Sequence, residues 1–351
     1  MRSTETVSIN IINPLSDNRW DDLVARHPRA SAFHQRGWLE ALARSYGYEP
    51  IVLTSTPAGA PLCDGMVLCR VSSWMTGTRL VSLPFADHCE PLLNKRGESL
   101  EFMNWLRAEC DRQRWSYVEF RPLEAGHDLA HGLQPESSYC FHELDLTPPL
   151  EGIFRRMHEN SFRRKIRRAE REGLSYEVGR SEQLVDEFHR LLAVTRRRHH
   201  VLPQPRAWFR NLIGCMGDNV QIRLARKNGS AIATMLTLRH GPYVVFKYGG
   251  SDPRFHGLGA VPFLFWKLIE ESKASGVEKI DFGRSDWNNE GLITFKDRLG
   301  TTRRLLTYYR YTNPRGDAVT ALGFLRSWKT MFSLPDAILS MAGRVLYRHI
   351  G

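Results

Sequence analysis

Arg254-Phe255-His256-Gly257-Leu258-Gly259-Ala260 follows a strand-like run, Tyr243 to Tyr248, and precedes a long apolar helix-like run that stops near Gly276. A glycine-bearing turn between a strand and a helix is a natural anion site. The unpaired N–H groups and the dipole of the helix start attract negative charge, and glycine lets a phosphate approach the backbone. On this basis Arg254 is expected to neutralise phosphate. Gly257 and Gly259 would expose backbone donors, and His256, Leu258 and Ala260 would complete the cofactor-binding turn.

Working outward from the loop, Val220, Ile222 and Leu224 alternate as in a half-buried strand, and Asn228-Gly229 reads as a tight hairpin. The return strand is Ala231 to Arg239, and His240-Gly241-Pro242 turns the chain into Tyr243–Tyr248. After the loop and its helix comes a buried strand, Lys279 to Gly283. Upstream, Leu184, Val185, Phe188, Leu191 and Leu192 share one helical face.

The first half of the chain shows a similar order. A helix at Trp38–Tyr46 stops at Gly47, and strands are expected at Pro50–Thr54, Leu62–Val71 and Leu80–Leu83. A helix at Ser99–Arg112 and a strand at Tyr117–Phe120 follow. Val118-Glu119-Phe120-Arg121 echoes Ile280-Asp281-Phe282-Gly283-Arg284, so the chain reads as a duplicated α/β unit. The first copy has no counterpart of the glycine loop and is expected to shape an acceptor cleft. The expected domains are 1–149 and 150–312, divided near Thr147-Pro148-Pro149-Leu150, with a basic amphipathic helical tail at 313–351.

The length of 351 residues suits two domains, and 42% hydrophobic with 25% charged residues is an ordinary globular composition. The opening MRSTETVSIN lacks a basic-then-apolar leader pattern, and no apolar run reaches about 18 residues. The chain is therefore expected in the cytoplasm. Six cysteines, Cys63, Cys69, Cys89, Cys110, Cys140 and Cys215, lack C-x-x-C spacing and read as free thiols; no metal is expected. A net charge of +11 favours anionic partners. It is concentrated at Arg163, Arg164, Lys165, Arg167, Arg168 and Arg171 of a helix expected over 162–172, whose apolar seam is Phe162, Ile166 and Ala169.

A helix, an antiparallel meander, a pyrophosphate-type loop opening a helix and a further strand make up an order that resembles the GNAT acyltransferases. Arg254-Phe255-His256-Gly257-Leu258-Gly259 is similar to that family's loop. Phe33-His34-Gln35-x-x-Trp38, the basic run 163–174 and Gly291-Leu292-Ile293-Thr294-Phe295-Lys296-Asp297-Arg298-Leu299-Gly300 resemble the Fem-type branch. That resemblance, over roughly residues 30–312, implies tandem GNAT-like domains with a mixed α/β sheet and a basic helix between them.

The resemblance also implies an amide-forming enzyme. It would move an acyl group from an acyl-CoA donor to an amine-bearing sugar or peptide of a cell-envelope or exopolysaccharide molecule. The branch's other chemistry, aminoacyl transfer from aminoacyl-tRNA onto a peptidoglycan precursor, is the alternative. A non-catalytic protein binding envelope precursors or a membrane surface is the third reading. The chain lacks a long charged coiled-coil arm, and after Trp38 it runs Leu39-Glu40-Ala41-Leu42-Ala43 where precursor-binding members tend to place a lysine.

In the Fem branch the lysine matching Lys296 sits near the transferred acyl group, where an ammonium would stabilise negative charge on the carbonyl oxygen or on a donor phosphate. At the strand ends, Asp281 and Asp286 are candidate proton acceptors and Tyr248 a candidate donor to the leaving group. Asp87, His88 and Glu90 interrupt an apolar stretch and are expected to line the acceptor cleft. Arg163, Lys165, Arg167 and Arg284 are the expected contacts for a phosphate-bearing partner. The basic helix and the tail together would permit peripheral contact with the inner face of a membrane.

Overall fold

The computed structural model describes residues 8–74, 76–93, 98–124, 133–314 and 346–349. Nearly all of the expected amphipathic tail lies outside them. In chain order the elements are β1 (Asn10–Ile12), α1 (Arg19–Arg26), α2 (Arg36–Tyr46), β2 (Glu49–Thr54), β3 (Met66–Ser73), β4 (Gly77–Val81), α3 (Glu98–Gln113), β5 (Tyr117–Phe120) and β6 (Gln134–Asp145). There follow α4 (Leu150–Arg156), α5 (Arg164–Arg171), β7 (Ser175–Gly179), α6 (Glu182–Arg198), α7 (Arg206–Met216), β8 (Val220–Lys227) and β9 (Ser230–His240). The last are β10 (Tyr243–Ser251), α8 (Ala260–Ala274), β11 (Lys279–Ser285), α9 (Glu290–Arg298) and β12 (Thr302–Thr312). Among the described residues no helix is long and apolar enough to cross a membrane.

Two compact units divide the chain inside β6, between Ser138 and Tyr139, and the described residues from Leu306 onward join the first unit. Thr147-Pro148-Pro149 instead forms the turn into α4, with Pro149 at the helix cap.

In the first unit β2, β3 and β4 make an antiparallel meander, α3 crosses over, and β5 returns parallel to β4. The sheet is completed by β12, antiparallel to β5. α2 buries Trp38, Leu39, Ala41 and Leu42 and stops at Gly47, whose φ of 71° suits glycine. β3 begins at Met66 rather than Leu62. Just before it, the Asp64 carboxylate accepts from Thr54 Oγ1 at 2.9 Å and the Ser55 amide at 2.8 Å, holding the chain off the ladder.

The second unit repeats this plan. β8, β9 and β10 form the meander, α8 crosses over, and β11 returns parallel to β10. Its sheet is completed by β6, antiparallel to β11, while β7 pairs with β8. Asn228 and Gly229, with φ of 50° and 78°, close the β8–β9 hairpin. α6 is capped by the Ser181 hydroxyl on the Leu184 amide and buries the five apolar residues of one face. α8 buries Phe263, Leu264, Phe265, Leu268 and Ile269, each worth about 1.5–3 kcal/mol when fully covered. The basic helix opens with a π-helical turn, Glu159–Arg163, and continues as α5; Phe162, Ile166 and Ala169 are its buried seam.

Candidate active site

The site begins where the sheet of the second unit opens. β10 and β11 pair only from Tyr243–Val245 to Lys279–Asp281, although β10 runs on to Ser251 and β11 to Ser285. The register of β10 shifts at Phe246/Tyr248, and that of β11 shifts between Asp281 and Arg284, where Gly283 has φ 67°. The Asp281 carboxylate accepts the Gly283 amide at 2.5 Å and fastens this bend. α9 covers the opening. Lys296, only 4% exposed, donates through Nζ to the carbonyls of Gly283 at 3.0 Å and Arg284 at 3.1 Å. Behind it, His142 lies 3.3 Å from the Asp297 carboxylate, which also takes the Arg303 guanidinium. Burial, with the charge of Lys296, holds the His142 imidazole below the usual range, against the pull of Asp297.

Two adjoining cavities occupy this region. The larger, about 700 Å³, is bounded by Ser161, Lys165, Arg198, Ser251, Asp252, His256, Glu290 and Arg298, among others. Its cations come from three separate elements: Lys165 from α5, Arg198 from the end of α6 and Arg298 from the end of α9. Basic groups in a helix's last turn are favoured by the dipole. Arg198 Nη1 stands 3.2 Å from His256 Nε2, which is 3.0 Å from Ser251 Oγ. Partial burial, then the Arg198 charge, holds His256 below its ordinary pKa, so the neutral ring is favoured as acceptor. The smaller cavity, about 260 Å³, shares Ser251, Val261 and Phe295 with the first and is otherwise mostly apolar, with Lys296 in its wall.

The glycine loop folds as a 3₁₀ turn, Pro253–Leu258, ending at Gly259 with φ 80°. A β-carbon on Gly259 would collide with the Lys165 carbonyl, its carbon only 2.9 Å away, so this glycine serves the packing of α5. Gly257 meets nothing within 4 Å. Arg254 does not face the cavity. It is bound to Asp252 at 3.1 and 2.7 Å, its side chain is 78% exposed, and its hydrogen bonds hold the Asp252 carboxyl low. Leu258 packs on the core and Ala260 is part of it.

The other expected residues fall as follows. Tyr248 is turned away from both cavities: its oxygen accepts from Gln204 at 2.9 Å and Trp208 at 3.1 Å, and its ring packs edge-on to Phe209. Asp286 is exposed in the turn before α9, where its carbonyl accepts the Asn289 amide. Of the basic helix, Lys165 reaches the cavity, Arg163 pairs with Glu159 at 2.5 Å, and Arg167 lies over Phe154. Arg284 stacks 4.0 Å from the centre of the Tyr139 ring.

In the first unit, the Asp87 carbonyl accepts from Tyr308, and His88 packs edge-on to Phe33. Glu90 accepts the amides of Leu123 and Glu124, and burial raises its pKa. Arg198 and Arg298 carry the cavity and were not singled out from sequence. Both stood in view, one closing an arginine triplet and one inside the Gly291–Gly300 motif. Among the described residues no cluster suited to a metal ion occurs.

The family model "Acetyltransferase (GNAT) domain" matches residues 156–296. The UDP-N-acetylmuramoylpentapeptide-lysine N6-alanyltransferase of Weissella viridescens is 25% identical over 96 residues, 27% of this chain and 29% of that protein; the match thus spans under a third of that relative. The crystal structure of FemX superimposes with a TM-score of 0.66 at 12% identity, covering 90% of this chain and 99% of that one. A tandem GNAT protein of the clavulanic acid biosynthesis pathway gives 0.54 at 12% identity, covering 89% and 100%. Residues 156–296 thus match a GNAT acetyltransferase domain, and the fold of the chain is similar to those of FemX and the tandem GNAT protein.

Proposed function

We propose that this enzyme forms an amide by moving an aminoacyl group from aminoacyl-tRNA to an amine of a cell-envelope precursor. The observation that carries the proposal is the cation-lined cavity. Lys165, Arg198 and Arg298 converge on it, and the exposed Arg164, Arg167, Arg168 and Arg171 of α5 extend the positive surface. A single-stranded 3′ end carries several phosphates and suits such a track. The acyl-CoA reading drew on Arg254, Gly257 and Gly259; Arg254 is bound to Asp252 and Gly259 is packed on α5, which leaves Gly257 alone with open space around it. The likeness to the alanyltransferase supports the acceptor class.

In the proposed reaction the acceptor nitrogen attacks the ester carbonyl. The new C–N bond forms as the C–O bond to ribose breaks, and the amine proton ends on the ribose oxygen. The Lys296 ammonium stabilises charge growing on the carbonyl oxygen. Asp281 is engaged with the Gly283 amide and Asp286 sits in an exposed turn, so positioning of the two reactants supplies most of the acceleration.

The experiment is tRNA binding against salt, beside calorimetric titration with acetyl-CoA. Alanine at Lys165, Arg198 or Arg298 should each flatten the log–log salt slope by about 0.7–1. Salt-independent tRNA binding, or saturable acetyl-CoA binding lost in Arg254→Ala, would return the donor to acyl-CoA.

A further inference from the structure

We infer that the group transferred is a branched aliphatic or aromatic residue, seated in the 260 Å³ apolar pocket between β10 and β11. The inference rests on the transferase reading but not on tRNA as the carrier.

The pocket is a consequence of backbone. Where β10 leaves β11, Gly249 and Gly250 place no side chains in the gap. Gly250 is required because the α6 backbone at Leu191 lies 2.7 Å from where its β-carbon would be. A β-carbon on Gly249 would instead meet the Phe246 ring at 2.9 Å, and that ring is set against Phe265 and Phe282 with centroids 4.9 and 6.1 Å apart. Gly249 therefore keeps Phe246 in place as part of the pocket wall. Met235, Leu264, Phe265, Phe282 and Phe295 supply more of that wall.

Polar groups in the wall are committed within the protein. Thr195 Oγ1 accepts the Ser251 amide and donates to its carbonyl, and Thr234 Oγ1 donates to the Arg223 carbonyl. Ser251 Oγ is bonded to His256, and Lys296 donates to two carbonyls. Among the described residues no carboxylate stands in the wall to meet an ammonium or guanidinium, and Lys296 repels either. A neutral polar or cationic side chain would leave water with nothing to replace it, and a carboxylate could pair with Lys296 only by drawing its charge away from the acyl carbonyl. The volume exceeds the roughly 150 Å³ of an apolar protein cavity that takes up benzene, so a ring or a branched chain fits.

The test uses the full chain and stable donor analogues. 3′-Aminoacylamino-3′-deoxyadenosines carrying Ala, Leu, Phe, Asp or Lys are titrated beside acetyl-CoA, isovaleryl-CoA and phenylacetyl-CoA. At about fourfold per buried methylene, Leu should bind on the order of 50-fold more tightly than Ala, with Phe similar and Lys and Asp weakest. Gly249→Ala should compress that ratio. Leu292→Trp, a substitution at a partly exposed residue of the same wall, should do so without the folding risk. Equal binding across the side chains on the carrier that binds, or preference for Ala, Asp or Lys, would overturn the inference. Apolar preference seen only in the CoA series would support the pocket and overturn the tRNA carrier. Binding of no analogue in either series would overturn both.

Discussion

Replacing Gly259 by alanine probes the contact on which the site is built. Gly259 has φ 80°, and its β-carbon would clash with the Lys165 carbonyl oxygen, with the carbonyl carbon at 2.9 Å and Cβ at 3.1 Å. The left-handed backbone costs a non-glycine residue about 1–2 kcal/mol. Forcing a methyl against a helix backbone adds about 1–3 kcal/mol, because α5 is held by its buried seam and cannot retreat freely. The sum is about 2–5 kcal/mol. Gly257→Ala is the internal control, since nothing lies within 4 Å and its φ is not in the left-handed region; it should change stability by less than about 1 kcal/mol. Urea denaturation followed by tryptophan fluorescence measures the loss. Two compact units need not unfold together, so hydrogen exchange over 159–171 should localise it to α5. A Gly259→Ala protein within about 1 kcal/mol of the parent, with unchanged exchange in α5, would refute the packing account and restore this glycine to a ligand role.

Lys296→Met should abolish transfer while costing roughly 2–4 kcal/mol, since two carbonyls lose a charged donor; a variant keeping near-parental kcat would remove Lys296 from the chemistry. Arg198→Glu should weaken tRNA binding at least tenfold at low salt and less at high salt, as filter binding would show; a salt-independent loss would point to damage of the fold instead. Folding stability should decline as pH falls from 7 to 5, because His142 has a folded pKa below the unfolded value near 6.5 and the unfolded chain takes its proton first. The slope owed to this buried ring is at most about 1.4 kcal/mol per pH unit. Urea midpoints across this range should therefore flatten in His142→Gln, and an unchanged slope would count against the buried neutral ring.

What could be read locally was determined by the sequence alone. The Asn228-Gly229 hairpin, the apolar face of α6, the seam of α5 and the stop of α2 at Gly47 each depend on neighbours within a turn or a hairpin, so residue type and period suffice. The repeat of the α/β plan was also visible, because each copy carries its own local signals. Tertiary structure decided the rest. β6 and β12 join sheets far from their neighbours in sequence, and no period announces a partner. Arg254, the obvious phosphate ligand by spacing, is bound by Asp252, while Arg198 and Arg298 reach the cavity from the ends of separate helices. The sequence places Tyr248 at a strand end, but β10 runs on to Ser251, and the register shift at Phe246/Tyr248 directs the tyrosine to Gln204 and Trp208. Which way a side chain faces depends on bulges and crossings set by distant packing, and a single sequence does not carry those contacts in its local pattern.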